Sequence, residues 1–222
     1  MTRLAIAAAA AAVALTGCSV HPGAAAVVGS DRISQDRVDE VAAALCAANA
    51  PSAAQPGAPA LASRGARQGA LQVLLDSELS RQFGEREGAE PSNRKVSAAL
   101  AANAQSIASL PETHRDAFRA ALKEYAEGQL VLIDIGRASL ESQGETDVSD
   151  DEAIAEGSRL RAAYVASIDV EVDPRYGTFD DGSLQPSSGS LSVPASDGAV
   201  AGASSEPAAG WVAALPASQK CS

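Results

Sequence analysis

Residues 168–174 read Ile168-Asp169-Val170-Glu171-Val172-Asp173-Pro174, and this stretch decides the fold. Apolar and acidic side chains alternate with a period of two until a proline that cannot continue a ladder. That pattern is a strand with one dry and one wet face. A lone strand must pair. The one good partner runs from Ala26 to Ile33: Ala26-Val27-Val28, a tight turn at Gly29-Ser30-Asp31, then Arg32-Ile33. The ends of a domain therefore close on each other in a small antiparallel sheet around a helical middle.

Between these strands the period is 3.6. A first helix starts at Ser34 as N-cap and runs to about Asn49, with Val38, Val41, Leu45 and Ala48 on one face, and stops before Pro51. Residues 50–62 hold three prolines and form a connector. A second helix covers Ser63 to Glu87, where Leu71, Leu75, Leu79 and Phe83 stack at four-residue intervals. Pro91-Ser92 opens a third, with Val96, Leu100 and Ile107 as its buried row. Ser109-Leu110-Pro111-Glu112 has capping-box spacing and starts a fourth, from about Pro111 to Gln143. The centre of that helix, Leu130 to Ile135, is apolar on nearly every side, so the other helices should enclose it. Ser149-Asp150-Asp151-Glu152 repeats the capping-box spacing before a fifth helix carrying Ile154, Arg161, Tyr164 and Val165. From 180 to 222 the chain is rich in Ser, Gly, Pro, Asp and Ala and reads as irregular, with Trp211 as its one large anchor. The expected fold is thus mainly α, with about five helices, one small antiparallel sheet and an irregular C-terminal tail.

Aromatic residues make up 3% of the chain, so the core must be built from Leu, Val, Ile and Ala where helices approach closely. The formal charge is −11 at pH 7. Such a surface repels phosphate backbones, which argues against nucleic acid as a partner.

Leu15-Thr16-Gly17-Cys18 closes an apolar run that follows Arg3 and is too short to span a bilayer, the pattern of a secretory signal. The four residues are similar to a bacterial lipobox. That resemblance implies cleavage before Cys18, lipidation of Cys18, and attachment to the extracytoplasmic face of the cell membrane through lipid alone. Residues 1–17 are then a signal peptide and 18–25 a tether. Two cysteines remain, Cys46 and Cys221, in an oxidising compartment. A disulfide is the natural reading, with two free thiols as the alternative. In the loop-entropy argument, closing roughly 175 residues is worth up to about 5 kcal/mol.

The order of elements resembles the N-terminal chaperone region of SurA-type parvulin foldases. Two stretches carry the likeness: Ala26-Val27-Val28-Gly29-Ser30-Asp31-Arg32-Ile33-Ser34 at the start, and Val172-Asp173-Pro174-Arg175-Tyr176-Gly177-Thr178-Phe179 at the exit. The resemblance implies a domain over 26–179 that binds unfolded or newly exported polypeptides. It implies no proline isomerisation. Only Gly144 to Val148 separates the fourth and fifth helices, where a foldase would carry its catalytic domain, and the histidines are His21 and His114 alone.

No Ser/His/Asp order, phosphate-binding glycine loop or Cys/His metal spacing is present, so no enzyme activity, cofactor or metal is expected. His114 reads as a solvated helical residue, and Asp147, Asp150, Asp151 and Glu152 as helix-start acids rather than a calcium loop. Asp134, within the apolar run of the fourth helix, needs a partner, with Arg137 or Arg161 as candidates. The expected activity is chaperone-like binding of unfolded chains in an apolar groove; the alternative is an envelope scaffold that binds one folded partner.

Overall fold

The computed structural model describes residues 21–53, 61–187, 192–204 and 207–221. The signal-like run and residues 18–20 of the tether, Cys18 among them, lie outside these residues, and β1 begins within the tether at Ala24. Ala24–Val28 (β1) and Asp31–Ser34 (β2) form a hairpin, and Val170–Val172 (β3) pairs antiparallel along the other side of β1. The strand order is β2-β1-β3, with Ala26 opposite Val172 and Val28 opposite Val170. The expected pairing is present, but β3 is shorter than the stretch read at 168–173, and Val170 and Val172 are half-buried beside the buried Ala26 and Val28 rather than forming one dry face. Gly29 takes a positive φ of 59° in the hairpin turn, a region that glycine enters without steric cost.

The helices are Gln35–Ala53 (α1), Ser63–Glu87 (α2), Asn93–Ala102 (α3), Ala104–Ser109 (α4), Glu112–Ser142 (α5), Asp150–Val165 (α6), Asp197–Ala203 (α7) and Ala209–Ala213 (α8). There are eight among the described residues, not five. One of the extra helices comes from a break in the expected third helix. At Asn103 the backbone leaves helical geometry, its N–H turns back to the Leu100 carbonyl at 3.2 Å, and its side-chain amide donates to Ala99 O at 2.9 Å. The other two lie in the tail.

The tail is therefore not wholly irregular. Gly177–Asp180 (β4) and Ser183–Pro186 (β5) make a second hairpin through Asp181-Gly182, both at positive φ, and Leu184 is its buried anchor. Ser196 caps α7 by accepting from the Ala199 N–H. The disulfide joins Cys46 on α1 to Cys221, with Cα atoms 5.1 Å apart across 175 residues of sequence. Beside it the Cys221 N–H donates to Leu61 O at 2.9 Å and Lys220 forms an antiparallel bridge with Ala62. The end of the chain is a strap fastened across the start of α2.

Leu71, Leu75 and Leu79 of α2 are fully buried, facing Val28, Val38 and Val41 in one core beneath the sheet. Across α2 lies α5, with Val131 and Leu132 buried, and no residue from 126 to 137 is exposed. The enclosure expected for the centre of the longest helix is present. Small residues make it possible: Gly128 sits on Ser80 of α2, and Gly136 sits on Ala153 and Gly157 of α6.

Candidate functional site

The sheet, α2 and α5 do not close completely on one another. An open groove of about 640 Å³ runs between β2, the start of α1, the second half of α2 and the middle of α5. Its floor is apolar: Ile33 from β2, Leu74 from α2 and Val131 from α5, all nearly fully buried, continued by Ala89 and Pro91 beyond the end of α2. The Schellman-type end of α2 shapes that wall. Gly88 takes φ 70°, and the Ala89 N–H returns to Gly84 O at 2.9 Å, which turns the chain across the mouth of the groove.

The rim is charged and internally paired. Arg37 reaches Glu124 at 3.2 Å and Glu40 at 3.9 Å. Arg81 bonds Glu78 and Glu85 at helical spacing and lies 3.3 Å from Asp31. Burial acts to raise the Glu78 carboxyl, but hydrogen bonds from Arg81 and Gln82 outweigh it and hold the group below its ordinary value. The Arg81 guanidinium is raised chiefly by its hydrogen bond to Glu78. The Glu78 and Arg81 charges are therefore held at neutral pH.

β2 is the edge of its sheet and also lines the groove, through Arg32, Ile33 and Ser34. An edge strand offers backbone N–H and C=O groups to a further extended chain. An apolar floor beside such an edge suits a segment that alternates side chains into the groove with backbone bonds along its rim.

Of the residues singled out in the sequence, Cys46 and Cys221 come together as a disulfide. Cys18 lies outside the described residues. His21 is half-exposed, 3.9 Å from Glu171, whereas His114 lies at the start of α5 beside a shallow cleft against α1 that it lines with Thr113, Asp39 and Asp116. The acids at 147–152 form a capping box: Ser149 Oγ accepts from the Glu152 N–H, and Glu152 accepts from the Ser149 N–H at 3.0 Å. Among the described residues no group of three or more His, Cys, Asp or Glu side chains could hold a metal ion, and no helix is long and apolar enough to cross a membrane.

Asp134 requires a correction. Its carboxylate is 37% exposed and pairs with Lys95 of α3 at 3.1 Å. Neither expected arginine serves it. Arg137 bonds Asp150 and the Val148 carbonyl, while Arg161 donates to Ser80 Oγ at 2.8 Å and lies 3.5 Å from Asp76.

The rim residues Glu78, Arg81 and Glu124 were not singled out in the sequence. Only the three- and four-residue spacing of Glu78, Arg81 and Glu85 hinted at a paired helix surface. No protein-family model, curated protein or solved structure matches the chain.

Proposed function

We propose that this chain is a lipid-anchored extracytoplasmic protein that binds extended, unfolded segments of other polypeptides in the groove between β2, α2 and α5, without chemistry. The observation that carries the reading is the junction of an open sheet edge with an apolar floor. Each apolar client side chain taken into the groove contributes about 1.5–3 kcal/mol, against roughly 1–2 kcal/mol for each client residue whose backbone becomes ordered. Those terms nearly cancel, so binding is weak and transient, as a chaperone requires. The lipobox-like Leu15-Thr16-Gly17-Cys18 supplies the address, and the disulfide suits an oxidising compartment. The likeness of the strand–helix–strand order to the SurA N-terminal region supports the same activity.

Light scattering from an aggregating unfolded protein tests this, with the chain from Ser19 onward added at near-stoichiometric amounts and its fold checked by circular dichroism. Dose-dependent suppression is expected. Ala89→Glu places a charge on the half-buried groove wall and should weaken the effect about tenfold. The paired rim also favours a second reading, a scaffold for one folded partner, because Arg37–Glu124 and Glu78–Arg81–Glu85 present a fixed charge pattern. No suppression, together with one partner retained in a crosslinked pull-down, would decide for the scaffold.

A further inference from the structure

At the opposite end of α2 a second cavity, of about 470 Å³, lies between the body and the C-terminal strap. Arg64 and Arg67 enter it from the first turns of α2, and Arg175 and Tyr176 from the segment after β3. The strap closes it with Trp211 and Leu215. Three arginines thus meet in one cavity of a chain whose formal charge is −11, and Asp39 is the one acid in the lining.

The arginines are not equivalent. Arg64 holds the strap, donating Nη1 to Gly202 O at 2.7 Å and Nη2 to Ser204 O at 3.2 Å. Arg67 donates Nη2 to Asp39 Oδ2 at 2.9 Å and holds Nε 2.8 Å from Oδ1 as an ion pair. Arg175 spends Nε and Nη2 on Asp173, at 3.0 and 2.6 Å. The Nη1 of Arg67 and that of Arg175 make no hydrogen bond to any described residue. Each guanidinium is therefore oriented by its own carboxylate and, as a residue lining the cavity, keeps an Nη1 donor that no described residue accepts. The start of α2 opens on the same space, and Ala62 at its N-cap position supplies no capping side chain, so the positive end of the helix dipole acts in the same direction.

The opposite wall is aromatic. Trp211 is fixed by donating Nε1 to Gly198 O at 2.9 Å and by packing on Gly202, where a Cβ would stand 2.4 Å from the indole ring. On the body side, Tyr176 beside Arg175 lies nearly fully buried in the lining. The volume falls within the range of small-molecule sites, roughly 300–1,000 Å³. We infer that this cavity binds a small aromatic anion, its carboxylate or phosphate held by Nη1 of Arg67 and Arg175 and its ring set against Trp211 and Tyr176. Because the Trp211 wall belongs to the strap, the site exists only while Cys46 and Cys221 are joined. It shares no residue with the groove, so it stands or falls independently of the proposed chaperone activity.

Trp211 is the only tryptophan in the chain, so one indole N–H resonance reports on the site. The test titrates the full-length, ¹⁵N-labelled, oxidised protein in non-ionic detergent with phenyl phosphate and benzoate, and in parallel with inorganic phosphate and the neutral benzamide. Saturable movement of the indole signal is expected with the two aromatic anions, and none with benzamide. Arg67→Gln alters a side chain more than half exposed and should weaken binding about tenfold with thermal unfolding unchanged; Arg175→Gln should weaken it about as much, with only the small stability loss of a partly exposed pair with Asp173. Cys221→Ser should abolish saturation while the helical signal of the body persists. Equal response to benzamide, unchanged affinity in both arginine variants, or no saturable shift by about 10 mM would overturn the proposal. Inorganic phosphate binding as tightly as phenyl phosphate would overturn the aromatic half of it.

Discussion

Gly136→Ala should be among the most damaging single-methyl additions in this protein. On α5, a Cβ at Gly136 would stand 1.9 Å from the Ala153 carbonyl oxygen and 2.6 Å from the Gly157 nitrogen. On α6, a Cβ at Gly157 would stand 2.0 Å from the Leu132 oxygen. A carbon and a carbonyl oxygen approach no closer than about 3.3 Å, so the helices must separate by more than about 1 Å at their crossing. The clashing atoms are backbone, so no flexible side chain can yield. Overpacking of this kind costs about 1–3 kcal/mol and reaches the top of that range where backbones must part. Alanine in place of glycine inside a helix returns about 1 kcal/mol. The net expectation is a loss of about 2 kcal/mol, or a fall of roughly 4–8 °C in Tm for a chain of this size. Gly69→Ala on α2 is the control. It is exposed, nothing lies within 4 Å of its Cβ, and it should gain nearly the whole propensity term. Urea unfolding followed by far-ultraviolet circular dichroism on the oxidised protein compares the two, with a gap of about 3 kcal/mol expected. If Gly136→Ala matches the parent while Gly69→Ala gains stability, the backbone contact between α5 and α6 is refuted.

Asp134→Ala should change stability by less than about 1 kcal/mol, because the carboxylate and Lys95 form a half-exposed pair open to solvent; a loss above about 2 kcal/mol in thermal unfolding would restore the buried-acid reading. Acid should weaken the fold in a defined window. Hydrogen bonds from Arg159 and then Ser139 hold Glu156 down to about 2, and Arg175 holds Asp173 below its ordinary value. A carboxyl depressed in the folded state binds fewer protons there than in the unfolded chain. Its contribution is therefore complete above the unfolded value of about 4.5 and is lost as pH falls toward 2. Urea midpoints should hold from pH 7 to about 5 and decline below it, and Glu156→Gln should make the decline shallower; a flat profile to pH 2.5 would contradict these pairings.

What could be read from the sequence is what short-range chemistry writes into it. The alternation at 168–173 is one strand's own pattern, the capping box at Ser149 and Glu152 closes within four residues, and α2 spans Ser63–Glu87 as its leucine ladder predicts. The partner of Asp134 could not be read this way. Helical periodicity tells that a face is buried but not which helix covers it, and Lys95 lies 39 residues away on α3. The β4–β5 hairpin was hidden in composition, since Leu184 alone anchors β5 among small polar residues. Gly136 and Gly157 read in isolation as weak points in their helices, and only the crossing turns them into requirements.

Both candidate sites belong to this non-local class. The groove exists because Ile33, Leu74 and Val131, on three separate elements, fail to close on one another, and no window of sequence records a gap between elements. The arginine cavity gathers Arg64, Arg67 and Arg175 with Trp211 only after the Cys46–Cys221 strap is fastened, and two of those arginines carry an acid partner of their own that makes them look like ordinary surface pairs. The proposed address at Leu15-Thr16-Gly17-Cys18 is of the opposite kind, because a targeting signal is read before folding and has to be written in a few adjacent residues. A binding surface acts only after folding and is free to be assembled from residues with no common motif. That division explains why a groove and a cavity appear only as unfilled space between packed elements and not as a motif in the chain.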